Sequence, residues 1–216
     1  MNFKEYRDEI ELIEKQNNVE DDLYNIVWSF LRMRKGFKMF SLRNISKRKR
    51  TVRKNEQEKL FWGISGFPDF IILDKDYIAD KPYKSMIYGV IEMKHVGEEV
   101  NIEQLKGHLF SFNKVLFTNG IKWGFYTFSP NRLETDLVEK LENRTYYSRK
   151  TATENEYAWT SNDERIFSYL GSSSEINEKF KVWEVVLKEK DSSGKYLWID
   201  SKWEELLKKL EEIKWN

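Results

Sequence analysis

The pattern of the chain predicts an α/β fold, and three observations carry that prediction. Residues 67–73 and 86–94 are apolar runs of strand length, the second unbroken until Glu92, as expected of a strand covered on both faces. Residues 101–117 place Ile102, Leu105, Leu109, Phe112 and Leu116 at helical spacing. A third strand-like run follows at 121–128, after the turn signal Asn119-Gly120. Strand, helix and strand in that order imply a right-handed crossover, with the strands at 86–94 and 121–128 parallel or nearly so.

The other elements follow in order. Residues 2–16 read as an amphipathic helix with Phe3, Tyr6, Ile10 and Ile13 on one face, and Asn17-Asn18 breaks it. A second helix, 19–33, carries a stripe of Val19, Leu23, Ile26, Val27, Phe30 and Leu31. Glu20 falls inside that stripe, and a carboxylate on the buried side of a helix needs a reason. Either it caps the first turn or it points toward a functional site. Gly36 ends this helix, and 37–55 reads as a strand and a loop. Ser65-Gly66 is a turn into the strand at 67–73, and a polar connection containing Pro82 leads to the next. Past Ser129-Pro130, residues 131–150 are charged and partly helical in pattern, and 151–179 are polar with no clear element. Residues 181–188 and 195–199 flank Asp191-Ser192-Ser193-Gly194 as a hairpin. Asp200-Ser201 then caps a last helix at 202–214. We read residues 1–216 as one domain, with a core at about 19–130 and a C-terminal extension, 131–216, packed on it.

Composition narrows the function. An apolar fraction of 40% with 15% aromatics gives a chain that can pack a core. Cysteine is absent, which excludes disulfides and thiolate metal sites. The two histidines, His95 and His108, make zinc a poor fit, so a metal here is expected to have oxygen ligands. No run is long and apolar enough to span a bilayer, and residues 1–5 lack a signal-peptide core, so a cytoplasmic protein with no membrane partner is expected. There is no GxxxxGK[ST] loop, and no nucleotide cofactor is expected.

The net charge of +1 conceals a local excess: Arg32 to Lys54 contains eleven Lys and Arg and no Asp or Glu. Such a stretch repels itself unless it meets polyanion or nearby acids. Phosphate backbone is the natural partner, and a solvated loop balanced by the acidic first helix is the plain alternative.

The chemistry concentrates in Gly66-Phe67-Pro68-Asp69 and Val90-Ile91-Glu92-Met93-Lys94. Side chains two apart on a strand share a face, so Glu92 and Lys94 project together, and Asp69 joins them if the two strands pair. Two carboxylates and an ammonium among apolar strands suit a divalent metal and a water. The plain alternative is a surface ion pair of little energy. The nearby aromatics Phe61, Trp62, Trp123 and Tyr126 are read as core rather than as base-stacking platforms.

Pro68-Asp69 with Glu92-Met93-Lys94 resembles the PD-(D/E)XK nuclease superfamily. The surrounding turn, strands, helix and Thr118-Asn119-Gly120 are similar to the nuclease domain of type I restriction motor subunits and related phage and defence nucleases. The resemblance covers roughly residues 20–128. It implies a restriction-endonuclease-like three-layer core, with a central mixed β-sheet flanked by helices, plus a C-terminal hairpin and helix. It implies a Mg²⁺-dependent DNA endonuclease, with Mn²⁺ able to substitute. In that scheme Asp69, Glu92 and the Met93 carbonyl hold the metal, and Lys94 orients water or stabilises phosphate charge. Glu20 is enlisted as a helix acid, and Gln104 as the glutamine of a Gln-x-x-x-Tyr helix motif, where this chain has His108 in place of the tyrosine. Lys47, Arg48, Lys49, Arg50, Arg53 and Lys54 border the cleft as backbone contacts, joined by Lys106 and His108. His108 is alternatively a helix-surface residue. One active site per chain suggests a homodimer for double-strand cutting. The competing class is a nucleic-acid-binding or protein-interaction module that keeps the fold without turnover.

Overall fold

The computed structural model describes residues 1–16, 18–46, 61, 63, 65–77, 87–128, 168, 170–171 and 173–216. Its helices are α1 (Phe3–Gln16), α2 (Glu20–Arg32), α3 (Ile102–Phe112), α4 (Ser173–Lys179) and α5 (Asp200–Glu212), with a 3-10 turn at Lys35–Phe37. The strands are β1 (Phe40–Asn44), β2 (Phe70–Asp74), β3 (Ile87–Met93), β4 (Lys114–Thr118), β5 (Lys122–Thr127), β6 (Lys181–Val186), β7 (Lys188–Lys190) and β8 (Tyr196–Trp198).

Strands β1 to β6 form one sheet in chain order, and β7 and β8 form a separate ribbon. Only the β3–β4 pair is parallel; the other four pairs of the large sheet are antiparallel. The fold is thus mixed α/β. Strand alternation sends side chains to both faces, and each face is covered. Phe70, Ile72, Ile91, Met93, Leu116, Trp123 and Phe125 pack with α1, α2 and α5. Ile71, Leu73, Val90, Val115, Phe117 and Tyr126 pack with α3 and α4. The stripes of α1 and α2 behave as their spacing demands: Tyr6, Ile10, Leu23, Val27 and Phe30 are all fully buried. Val19 is an exception, since it lies outside the helix as its N-cap and is exposed.

Several expectations need correction. The run 101–117 is not one helix. α3 stops at Phe112, Asn113 takes φ 65°, and the chain reverses into β4. The crossover therefore joins β3 to β4, and the run at 121–128 returns antiparallel to β4 rather than parallel to β3. The strand predicted at 67–73 begins only at Phe70. Pro68 has no N–H for a ladder, and Asp69 spends its side chain elsewhere. Gly36 does not end α2, which stops at Arg32; it sits inside the 3-10 turn. The stretch read as a hairpin at 181–199 divides. β6 joins the large sheet beside β5, and only β7 and β8 form the hairpin. The α5 cap is Ile199, with no side-chain cap hydrogen bond, and Asp200 is already the first helical residue.

The C-terminal part completes the core rather than decorating it. Trp203, Leu206, Leu210 and Trp215 are buried against the same cluster as α1 and α2. No described helix is long and apolar enough to cross a membrane.

Candidate active site

The site forms at one edge of the sheet, where β3 ends and β2 begins. The antiparallel register pairs Phe70 with Ile91, and the next residues outward are Asp69 and Glu92. Both carboxylates are buried, at 7% and 2% exposed. The approach to Asp69 is set by a tight turn. Gly63 and Gly66 exchange backbone hydrogen bonds of 2.9 Å, and Gly66 adopts φ 96°, where a side chain would be strained. The turn rests on α3 at Gly107, where a Cβ would come within 1.9 Å of Ser65 Oγ.

Each carboxylate is held at both oxygens, by different kinds of partner. Asp69 Oδ2 accepts from the Met93 N–H at 2.6 Å, and Oδ1 lies 2.5 Å from the Tyr24 hydroxyl. Glu92 Oε1 accepts from Lys94 Nζ at 2.8 Å, and Oε2 meets His108 Nε2 at 3.1 Å. Because that contact is to a carboxylate, Nε2 carries the proton. His108 Nδ1, buried as well, has no hydrogen-bond partner among the described residues. Tyr24 also touches Glu20: its hydroxyl lies 2.5 Å from Glu20 Oε1. Tyr24 thus stands between Glu20, one turn earlier on α2, and Asp69 at the sheet edge.

Electrostatics divide the site. Burial and the facing Glu92 push the Asp69 carboxyl well above the usual carboxylate range, and the Tyr24 and Met93 hydrogen bonds do not offset them. Burial also acts on Glu92, but His108 and Lys94 outweigh it and its pKa is lowered. For Lys94, burial alone would lower the pKa, yet Glu92, then Glu20 and Asp69, raise it, so the ammonium stays charged. Burial and the Asp69 carboxylate raise the Tyr24 phenol, which stays protonated.

The α1–α2 corner is tied to this edge. Asn18 Nδ2 donates to the Val96 carbonyl at 3.0 Å, Asn18 Oδ1 accepts from Val96 N–H at 2.9 Å, and His95 Nδ1 meets the Asn18 carbonyl at 2.8 Å. Glu20 and Lys94 are therefore fixed relative to each other through the backbone.

The residues expected from the sequence fare as follows. Asp69, Glu92, Lys94 and Glu20 are brought together, and Glu20 is half-buried at the start of α2. It makes no cap hydrogen bond there; its carboxylate goes to Tyr24. Met93 turns its side chain into the α1/α2 layer and offers its main chain to the site. The Lys94–Glu92 pair is not a surface pair, with side chains 14% and 3% exposed. Gln104 is half-buried one turn before His108 on the same face of α3, and its side chain makes no hydrogen bond to the acids. Lys106, two residues from both, is turned roughly 200° round α3 from Gln104, away from their face.

His108 is neither on the helix surface nor available to a phosphate: it is fully buried and faces Glu92. The ring of Phe112 lies beside it, with centroids 6.2 Å apart. Lys47, Arg48, Lys49, Arg50, Arg53 and Lys54 lie outside the described residues, as does Trp62. Ile45, two residues before Lys47 in sequence, donates its N–H to the Asp69 carbonyl at 2.9 Å. Phe61, Trp123 and Tyr126 are buried core. The residue that sequence reading missed is Tyr24. Its signal was its place four positions after Glu20, where helix geometry stacks the two side chains.

No three or more His, Asp or Glu side chains among the described residues are grouped to hold a metal by themselves. The donor set nevertheless suits a hard cation. Among the described residues each of the four oxygens of Asp69 and Glu92 makes one hydrogen bond, which leaves a lone pair on each, and burial with the facing Glu92 raises the Asp69 pKa. Asp69 and Glu92 are the residues that would hold such an ion, with water and main-chain oxygen completing its shell. Compared with protein-family models, curated proteins and solved structures, the chain finds no significant match.

Proposed function

We propose that this chain is a metal-dependent endonuclease that hydrolyses DNA phosphodiester bonds, with Mg²⁺ as its ion and Mn²⁺ as a substitute. The observation that carries the reading is the meeting of Asp69, Glu92 and Lys94 at one sheet edge, two buried carboxylates against one ammonium. A bound Mg²⁺ would polarise a phosphoryl oxygen and acidify a water. Asp69, the residue before β2, and Glu92, on β3, would hold the ion at the sheet edge. Lys94, kept protonated by its acidic neighbours, orients the attacking water or neutralises charge that grows on the phosphate. Glu20 stands beside Asp69 as a further carboxylate able to accept a proton from that water. His108 steadies Glu92 from behind. The basic residues Lys47, Arg48, Lys49, Arg50, Arg53 and Lys54 follow Ile45 in sequence and would supply phosphate contacts that position backbone without reading sequence. A homodimer would give the two cuts of a double-strand break.

The test is cleavage of supercoiled and linear DNA by purified protein with Mg²⁺ or Mn²⁺, with EDTA as control and an RNA substrate in parallel. Asp69→Ala, Glu92→Ala and Lys94→Ala should each reduce cleavage by about 10³ or more, with DNA binding in a gel shift largely kept. Cleavage that persists in all three variants overturns the reading. Binding without metal-dependent cleavage in the wild type would favour a non-catalytic nucleic-acid module.

A further inference from the structure

We propose that the Tyr24 hydroxyl sets how many carboxylates the site presents to its cation, holding Glu20 beside Asp69 as a reserve acid and out of the ion's ligand shell. The proposal rests on the metal-dependent reading above and names a positioning residue within it. The hydroxyl lies 2.5 Å from an oxygen of each acid. It has a single proton, so it can donate to only one of them at a time. Its ring is 5% exposed and packs edge-on against Phe70, with centroids 5.7 Å apart, so the hydroxyl cannot swing away from the pair. Asp69 is pinned from the other side by Met93 N–H. Glu20 is the movable partner: it is half-buried, at the first residue of α2, and its carboxylate accepts from Tyr24.

Once a cation neutralises Asp69, the tyrosine proton is free to settle on Glu20, and that hydrogen bond keeps Glu20 turned from the ion. Without the hydroxyl, Glu20 has no such restraint, and a carboxylate next to a divalent cation with open positions joins its shell. Tyr24 thus separates two jobs that adjacent acids would otherwise merge: holding the ion, and standing by for a proton.

The experiment is Mn²⁺ binding followed by calorimetry and by the Mn²⁺ spin-resonance signal, in wild type, Tyr24→Phe, Glu20→Gln and the double variant, with Asp69→Ala as control. Tyr24→Phe keeps the ring and its packing. The expected result is that Glu20→Gln alone changes the Mn²⁺ Kd by less than twofold, that Tyr24→Phe tightens it by roughly fivefold or more, and that the double variant returns to near the wild-type value. A purely structural tyrosine would weaken binding when altered, and Glu20→Gln would not reverse it. Tyr24→Phe that leaves the Kd within twofold or weakens it overturns the proposal. So does a tenfold weakening by Glu20→Gln alone, a result that does not depend on how well the tyrosine variant folds. Wild-type protein that binds Mn²⁺ no better than Asp69→Ala removes the metal reading itself, and this proposal with it. A wild type that binds while the four-way comparison stays flat removes only the role of Tyr24.

Discussion

The two acids of the site sit one strand apart, yet their surroundings differ in kind. Glu92 is charge-matched: Lys94 takes one oxygen and His108 the other, and its pKa is lowered. Among the described residues the donors to Asp69 are neutral, a phenol and a backbone amide, and its pKa is raised. One half of the edge is a finished ion pair, and the other half has no cationic hydrogen-bond partner among the described residues. The contrast teaches that burial alone does not set the behaviour of a carboxylate; the charge of its partners does. It also says where a cation gains most, on the Asp69 side, with Glu92 as the preformed wall of the site.

This contrast is open to attack, first through stability. Glu92→Ala should cost about 3–5 kcal/mol in urea unfolding, because it strands a buried lysine and histidine. Asp69→Asn should stay within about 1 kcal/mol of wild type or gain stability, because it removes a like-charge contact. Equal losses at the two positions would erase the distinction drawn between them.

A smaller effect isolates the back of the site. His108→Phe keeps a ring in the α3 layer but leaves Glu92 Oε2 without its donor, which should cost about 1–3 kcal/mol. His108→Gln retains an N–H and should recover part of that loss. A Phe variant as stable as the Gln variant would show that the imidazole is ordinary packing.

The smallest effect is in the pH dependence, and its sign differs for the two acids. Glu92 ionises more readily in the folded chain, so its stabilisation is present above the usual carboxylate pKa of about 4.3 and is lost as pH falls through its lowered value. Asp69 does the reverse. Below its unfolded pKa of about 3.9 it costs nothing, and stability declines as pH rises through its raised folded value. Denaturant midpoints of wild type should therefore fall, relative to Asp69→Asn, as pH rises through that window, and saturating Mg²⁺ should flatten the difference. Parallel profiles for the two proteins without metal would argue that Asp69 is not strained.

Much of the edge was legible in the sequence because strand alternation is rigid. Glu92 and Lys94 had to share a face, whereas Pro68 and Asp69, read as part of the strand, precede it because proline has no N–H for the ladder. The misreadings have physical causes. Leu105, Leu109, Phe112 and Leu116 keep helical spacing straight through the α3–β4 junction, so periodicity cannot show that Asn113 reverses the chain; only the asparagine, tolerant of positive φ, hints at it. His108 reads as a phosphate contact or, alternatively, a helix-surface residue, because a polar residue on an amphipathic helix normally faces outward. Its partner is a strand residue sixteen positions away, which no local pattern reveals. Tyr24 lies outside the apolar stripe read on 19–33, and its hydroxyl acquires meaning only when the fold brings Asp69 to it from forty-five positions away.

The corner between α1 and α2 has the appearance of a spare loop, two helices joined by a short polar break. Through Asn18 it is knotted to His95 and Val96, immediately beyond Lys94. Lengthening that corner by a residue would drag the root of α2 and the tail of β3 out of step, displacing one acid and the ammonium at a stroke. A stretch that is a connector by sequence is, by its bonds, the yoke on which both sides of this sheet edge hang.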